Sequence, residues 1–215
     1  LSSLVTKLKR SRPDVILHTG YNPDITLLLR QAKEQGLRFK ELIGHGAGYG
    51  VPDKLYEALG DDVDHIFNVD PVSIWLLDPN TLAKGLPAVT TKVGVEYQKA
   101  KPEMKIKSAS LGQGASNAFV FFDDVLPRAI KKYGGIDADS LRKAALDTDI
   151  AAGGTLLGYG VKFPKEGESD MMGQNMRASP VVMQYIDRKV YIAWPKELQT
   201  IDPVLPLPES SVYSK

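Results

Sequence analysis

The apolar positions of the chain change period several times, and each change marks an element. Leu1, Leu4, Val5 and Leu8 recur at helical spacing and Pro13 stops the run, so the sequence opens inside an amphipathic helix. Asp14 to Thr19 follows as a short apolar run of buried-strand type, closed by Gly20. Ile25, Leu28, Leu29 and Ala32 return to helical spacing behind Pro23, with Gly36 as the stop signal, and Leu42-Ile43 marks a second strand. Pro52 opens a short helix through Leu59, and His65 to Val69 reads as a third strand ending at Asp70-Pro71. Such alternation predicts a parallel sheet covered by helices.

Between Thr81 and Lys101 the pattern is mixed, with Val89, Val93 and Tyr97 on one helical face before Pro102. The strongest periodic signal joins Ala115, Ala118, Phe119, Phe122, Val125, Leu126, Ala129 and Ile130, which predicts one buried helical face ending at Gly134-Gly135. Asp139 or Ser140 offers an N-cap for a short helix from Leu141 to Leu146. Gly158 to Phe163 reads as a strand, and Val181–Ile186 with Val190–Trp194 as a hairpin joined at Asp187-Arg188-Lys189. Past Pro195, proline and polar residues predict an extended run over the surface.

Composition narrows the chemistry. The 215 residues suffice to bury a core, and 27 Lys and Arg against 26 Asp and Glu, without a long block of either sign, argue against a nucleic-acid partner. With no cysteine, disulfides, thiol nucleophiles and Cys-based metal sites are excluded. No apolar run approaches the roughly eighteen residues of a membrane helix, and any export signal is expected upstream of Leu1. A start within a helix reads as a fragment of something longer.

Gly44 to Gly50 lies between a strand and a helix, where backbone N–H groups can cradle phosphate, yet its glycines match neither the dinucleotide fingerprint nor the P-loop. Glycine there lets the backbone turn sharply or approach a ligand. The three histidines stand singly, with no metal-ligand spacing; His18 and His65 read as structural and His45 as the one that touches a ligand. No serine occupies a nucleophile elbow, Ser116 and Asn117 read as caps at the start of a helix, and Asp123-Asp124 as a solvated flank. A reactive group for an enzyme is not found.

The order of landmarks, from Leu-Ser-Ser-Leu-Val-Thr-Lys-Leu-Lys through Arg-Pro-Asp14-Val-Ile, the Gly20-Tyr21 loop and Leu-Arg30-Gln-Ala-Lys-Glu-Gln-Gly36, resembles the leucine/isoleucine/valine-binding proteins of ABC importers. The Ala118-to-Ile130 helix, Tyr159-Gly-Val-Lys-Phe163 and Gln184-Tyr-Ile-Asp-Arg-Lys-Val-Tyr-Ile-Ala-Trp-Pro195 extend the likeness over most of the chain. The resemblance implies a type I periplasmic-binding fold, with Rossmann-like three-layer α/β/α lobes joined by three crossings and the solute in the cleft between them. Residues 1–70 would be a second-lobe α/β segment, 71–155 a mainly helical first-lobe segment, and 156–215 the return to the second lobe with a closing hairpin and extended tail. The fold would thus be incomplete, and apolar surface bared by the absent part predicts self-association.

The same likeness implies a small carboxylate-containing solute, no cofactor, no catalysis, a membrane permease as partner and a periplasmic or lipid-anchored extracytoplasmic location. Tyr21 matches the family's cleft tyrosine, Asn117 falls where an apolar aromatic often lines the pocket, and Asp70, Pro71 and Thr155 would be hinge positions. Gly46 stands where amino-acid binders keep an acidic residue for the ligand ammonium. A buried cation without that partner is costly, which favours an amine-free carboxylate, aromatic acids included, with His45 and Tyr49 supplying polar or stacking contacts. A sensory receptor ectodomain and, less favoured, a doubly wound enzyme are the alternatives.

Overall fold

The structure is a computed structural model and describes residues 1–46, 48–71, 96, 99–103, 109–152, 154–157 and 159–215. The helix expected across Thr81–Lys101 has its anchoring positions Val89, Val93 and Tyr97 outside the described residues. Helix α1 (Ser2–Ser11) leads into β1 (Val15–Thr19), and α2 (Asn22–Gln35), with Pro23 in its first turn, leads through Gly36 into β2 (Glu41–His45). Helix α3 (Pro52–Leu59) precedes β3 (Phe67–Asp70), which begins two residues later than the sequence suggests because His65 takes a left-handed turn at φ 72°.

β1, β2 and β3 pair in parallel, and the sheet is completed by β6 (Val181–Ile186) and β7 (Lys189–Trp194), both antiparallel to their neighbours, in the order β1-β2-β3-β6-β7. Asp187 and Arg188 both have positive φ, so the β6–β7 hairpin turns on two residues whose backbone twist matches that of the strands. Strand side chains Ile16, Leu42, Met183, Tyr185 and Ile192, with Ile66 just before β3, join Ile25, Leu28, Leu29 and Leu55 of the helices in one core.

The opposite face of the sheet is covered less evenly. Gln184 exchanges two hydrogen bonds with the backbone of Val204, at 2.8 and 2.9 Å, and Leu207 N donates to Lys40 O at 2.7 Å. The chain beyond Pro195 therefore does not simply run over the surface as expected. Leu207 and Tyr213 are buried, Tyr213 stacks on Phe39 with ring centroids 5.4 Å apart, and its hydroxyl donates to Leu29 O at 3.2 Å. Apolar residues spaced among prolines gave no periodic signal, although they anchor the tail. Tyr213→Phe, which removes only that hydroxyl, is expected to cost about 1 kcal/mol in urea denaturation. At the β1 edge the same face is open: Leu17 is 76% exposed, whereas both faces of a parallel sheet are ordinarily covered.

A second unit is built around α4 (Ala109–Val120), which continues through wider turns at Phe121–Val125 and Ala129–Tyr133 flanking Leu126–Arg128. In those turns Leu126 N bonds to Phe121 O and Gly134 N to Ala129 O, five residues back, which shifts every later side chain around the helix axis. The buried face read from the sequence is corrected, at Ala118 and Phe119 before the wide turns as well as at later positions. Val125 and Ala129 are buried against Ala144 of α5 (Ala138–Leu146), but Ala118, Phe119, Phe122 and Ile130 are exposed. Ser116 and Asn117 lie inside α4 rather than at its start. The N-cap of α5 is Asp137, whose Oδ1 accepts from Asp139 N and Ser140 N at 3.1 Å each.

Asp124 is not merely a solvated flank. It pairs with Arg128 and accepts from Thr148 Oγ1 at 2.9 Å, while Arg128 Nη1 donates to Ala144 O at 2.7 Å, which ties α4 to α5. β4 (Asp149–Ile150) and β5 (Val161–Lys162) form a two-stranded antiparallel sheet. Of the strand read at Gly158–Phe163, only Val161–Lys162 form β5 and pair with β4, with Gly158 outside the described residues, and the chain re-enters the five-stranded sheet at Val181. Among the described residues, no helix is long and apolar enough to cross a membrane.

Candidate functional site: the strand-end face of the parallel sheet

In open parallel sheets, ligands bind beyond the carboxyl ends of the strands. Here those ends bring together Thr19, Tyr21, His45, Gly46 and Asp70. Tyr21 caps α2: its backbone N donates to Asp24 Oδ2 at 3.2 Å, which leaves the ring free and 73% exposed. His45, paired with Thr19 across β1 and β2, is exposed, and its Nδ1 lies 3.5 Å from Thr19 Oγ1.

Gly46 follows at φ 50°, a conformation that glycine adopts without strain, and its N donates to Val69 O at 3.1 Å. A Cβ at this position would meet nothing within 4 Å, so the backbone here borders open space. Gly46 and His45 therefore present a main-chain rim and an imidazole with no acidic side chain at position 46.

Tyr49 is placed differently from expectation. Its ring is fully buried over Gly44 and in the core, so it offers no stacking surface to a ligand. Instead Tyr49 Oη lies 2.8 Å from His18 Nδ1, and Tyr49 O accepts from Tyr185 Oη. Burial holds the His18 imidazole below its ordinary pKa, against the opposite pull of Asp24, and burial pushes the Tyr49 hydroxyl up. The sequence marked Tyr49 by its place in a glycine loop, but its ring lies directly on Gly44, where the absence of a side chain leaves room for it.

Asp70, read from the sequence as a hinge, is also a buried carboxyl at the same end of the sheet as His45. It is 7% exposed, and its hydrogen bond from Asn68 Nδ2 is long, at 3.4 Å. Burial raises its pKa, while that bond and the charge of His45 pull it down. The signal for it was present as Asn68-Val-Asp70, alternate polar residues closing a strand. Pro71 follows Asp70 directly, and Thr155 is buried in a turn after β4, its hydroxyl donating to Tyr159 O.

Asn117 is not part of the strand-end group. It lines a cavity of about 620 Å³ in the second unit, with residues of α4, α5 and the segment 159–178. Among the described residues no cluster of three or more His, Asp or Glu is placed to hold a metal.

No family model matches the chain. It is 32% identical over 196 residues to the Leu/Ile/Val-binding protein homolog 7 of Brucella suis, covering 91% of this chain and 44% of that protein. The protein of the same name in Brucella abortus is 33% identical over 198 residues, and the Leu/Ile/Val-binding protein homolog 8 of Brucella abortus is 32% identical over 197, with the same coverage. The chain spans under half the length of these curated relatives. Among solved structures it is similar to an extracellular ligand-binding receptor from Rhodopseudomonas palustris, at TM-score 0.66 and 20% identity, over 89% of this chain and 51% of that one. A fatty acid ABC transporter substrate-binding protein from Thermomonospora curvata gives TM-score 0.65 at 17% identity, over 95% and 49%. The architecture is that of the type I periplasmic-binding class of α/β proteins. Within that class its sequence is similar to the Leu/Ile/Val-binding protein homologs over the residues they share.

Proposed function

We propose that the chain is part of the substrate-binding component of an ABC importer, working outside the cytoplasm. In this reading the strand-end face takes a small carboxylate-containing solute, and closure around it presents the solute unchanged to a membrane permease. Support comes from the names of the relatives, which are those of binding proteins, and from the chemistry of the face. The observation that carries the reading is Gly46, with a positive φ and open space beside the exposed His45 and Tyr21. Ligand contacts there stabilise a closed state over an open one.

The finer reading is an amine-free carboxylate. An ammonium buried at this face meets no acid at position 46, and Asp70 is a poor substitute because its carboxyl is buried and already accepts from Asn68 Nδ2. His45 and the Tyr21 hydroxyl instead provide donors for a carboxylate.

A thermal-shift comparison of the protein with benzoate, hexanoate, leucine and phenylalanine tests this. At about 100 times Kd a ligand adds about 2.7 kcal/mol of stability, which raises Tm by several degrees. The two acids are expected to produce that shift, His45→Ala and Tyr21→Ala to reduce it, and the ligand to be recovered unaltered. A larger shift with leucine than with hexanoate would refute the amine-free reading, and consumption of the ligand would refute the binding role.

A further inference from the structure

The cavity that holds Asn117 has a composition unlike the strand-end face. Val120, Val125, Leu141 and Phe163 give it an apolar floor, and Asn117, Gln174 and Arg142 stand at its polar side. Among the described residues no acidic side chain lines it, and Arg142 is the one charged group that does. A smaller cavity of about 310 Å³, lined by Leu146 and Met172, shares Arg142, Ala145 and Phe163 with the first, so the two adjoin along these residues. The larger volume, about 620 Å³, lies within the range of small-molecule sites.

Two features distinguish this groove from loose packing. The first is its wall. Asn175 Oδ1 accepts from Lys162 N and Arg177 N at 3.0 Å each and its Nδ2 donates to Gly160 O at 2.9 Å, while Arg177 bonds to Ile150 O at 2.7 Å. The segment bearing Gln174 is therefore pinned to β4 and β5 before any ligand arrives. The second is the charge. Arg128, Lys132, Lys143, Lys162 and Arg177 of this unit each pair with an aspartate, whereas Arg142 has no ion pair or hydrogen bond among the described residues. An unpaired guanidinium on the flank of an apolar groove with amides nearby is complementary to a carboxylate on a hydrocarbon body.

We propose that this groove is a binding site for a monocarboxylate with an apolar chain, the carboxylate meeting Arg142 and the chain lying along Val120, Val125, Leu141 and Phe163. The site lies between helices α4 and α5 and the segment 159–178 and shares no lining residue with the strand-end face.

Calorimetric titration with decanoate below its micellar concentration tests it, on the whole protein and on variants checked for an unchanged melting curve. One saturable site is expected outside the strand-end face. Arg142→Gln is expected to weaken it by roughly tenfold or more, as for loss of a charge-assisted hydrogen bond. Arg142→Lys should retain most of the affinity, and Phe163→Ala should weaken decanoate more than hexanoate. His45→Ala and Tyr21→Ala should leave this site unchanged. Equal affinity for decanoate in Arg142→Gln, equal affinity for 1-decanol, loss of the site in His45→Ala, or the absence of saturable binding would each overturn the proposal.

Discussion

Gly44→Ala is expected to destabilise the protein by roughly 2–4 kcal/mol, read as a lower urea midpoint with little change in m-value. The cause is local and steric. A Cβ at residue 44 would fall within 2.6 Å of Tyr49 Cδ2 and closer still to other ring atoms, far inside contact distance. Tyr49 cannot step aside, because its ring is fully buried, its hydroxyl is held by His18 at 2.8 Å, and its carbonyl accepts from Tyr185. Its N also bonds to Gly46 O at 3.0 Å, so any shift of the ring pulls on the Gly46 rim. The clash makes the two positions strongly coupled. In Gly44→Ala/Tyr49→Ala the added methyl meets a vacated space, so the double variant should be about as stable as Tyr49→Ala alone, with a coupling of about 2 kcal/mol or more. Additive losses would show that the ring and the strand are not in contact.

That pair also shows what a linear pattern conveys and what it omits. The strand and helix alternation of residues 1–70 was legible because each element keeps one period and is bounded by residues with their own backbone preference, Pro13 and Gly36 after helices and Pro52 at the start of one. The β6–β7 hairpin was legible for a related reason, two β-rich runs separated by a short polar turn. In α4 the period itself changes, since the wide turns at Phe121–Val125 and Ala129–Tyr133 break the 3.6-residue repeat from which the stripe was read. No arrangement of apolar residues announces such turns in advance.

The site was legible in part. His45, Gly46 and Tyr21 stand out as residues next to strand ends, and the sheet brings them to one edge because β1 and β2 pair in parallel and in register from Val15–Glu41 to Thr19–His45. Tyr49 looked equivalent on sequence distance alone, but a ring five residues beyond a strand glycine can fold back on it, and burial of a large aromatic outweighs its use on a surface. Asp70 reads in the sequence as a chain crossing, and Asn68-Val-Asp70 marks a polar strand end without saying that it is buried. Its burial depends on β6, more than a hundred residues away in sequence, pairing at Val181.

A second long-range effect sets how stability depends on pH. Glu41 opens β2 and is 5% exposed; the returning tail bonds to its neighbour Lys40, and its own Oε2 has no hydrogen-bond partner while Oε1 accepts from Leu42 N at 2.9 Å. Burial pushes its carboxyl from 4.5 up to about 8, against the opposing pull of the Leu42 bond. The folded value exceeds the unfolded one, so the folded state binds the proton more tightly, and the contribution of this group is fully favourable below about pH 4.5 and is lost as pH rises through about 8. Every tenfold gain in proton affinity on folding corresponds to about 1.4 kcal/mol, and relaxation with some water access reduces the total to about 1–3 kcal/mol. Glu41→Gln keeps the acceptor for Leu42 N and removes the ionisation. The variant is therefore expected to match the parent near pH 4.5 and to exceed it by about 1–3 kcal/mol near pH 8 in paired urea titrations. A difference between the two proteins that stays constant across that range would show that Glu41 ionises in the folded chain as freely as it does in the unfolded one.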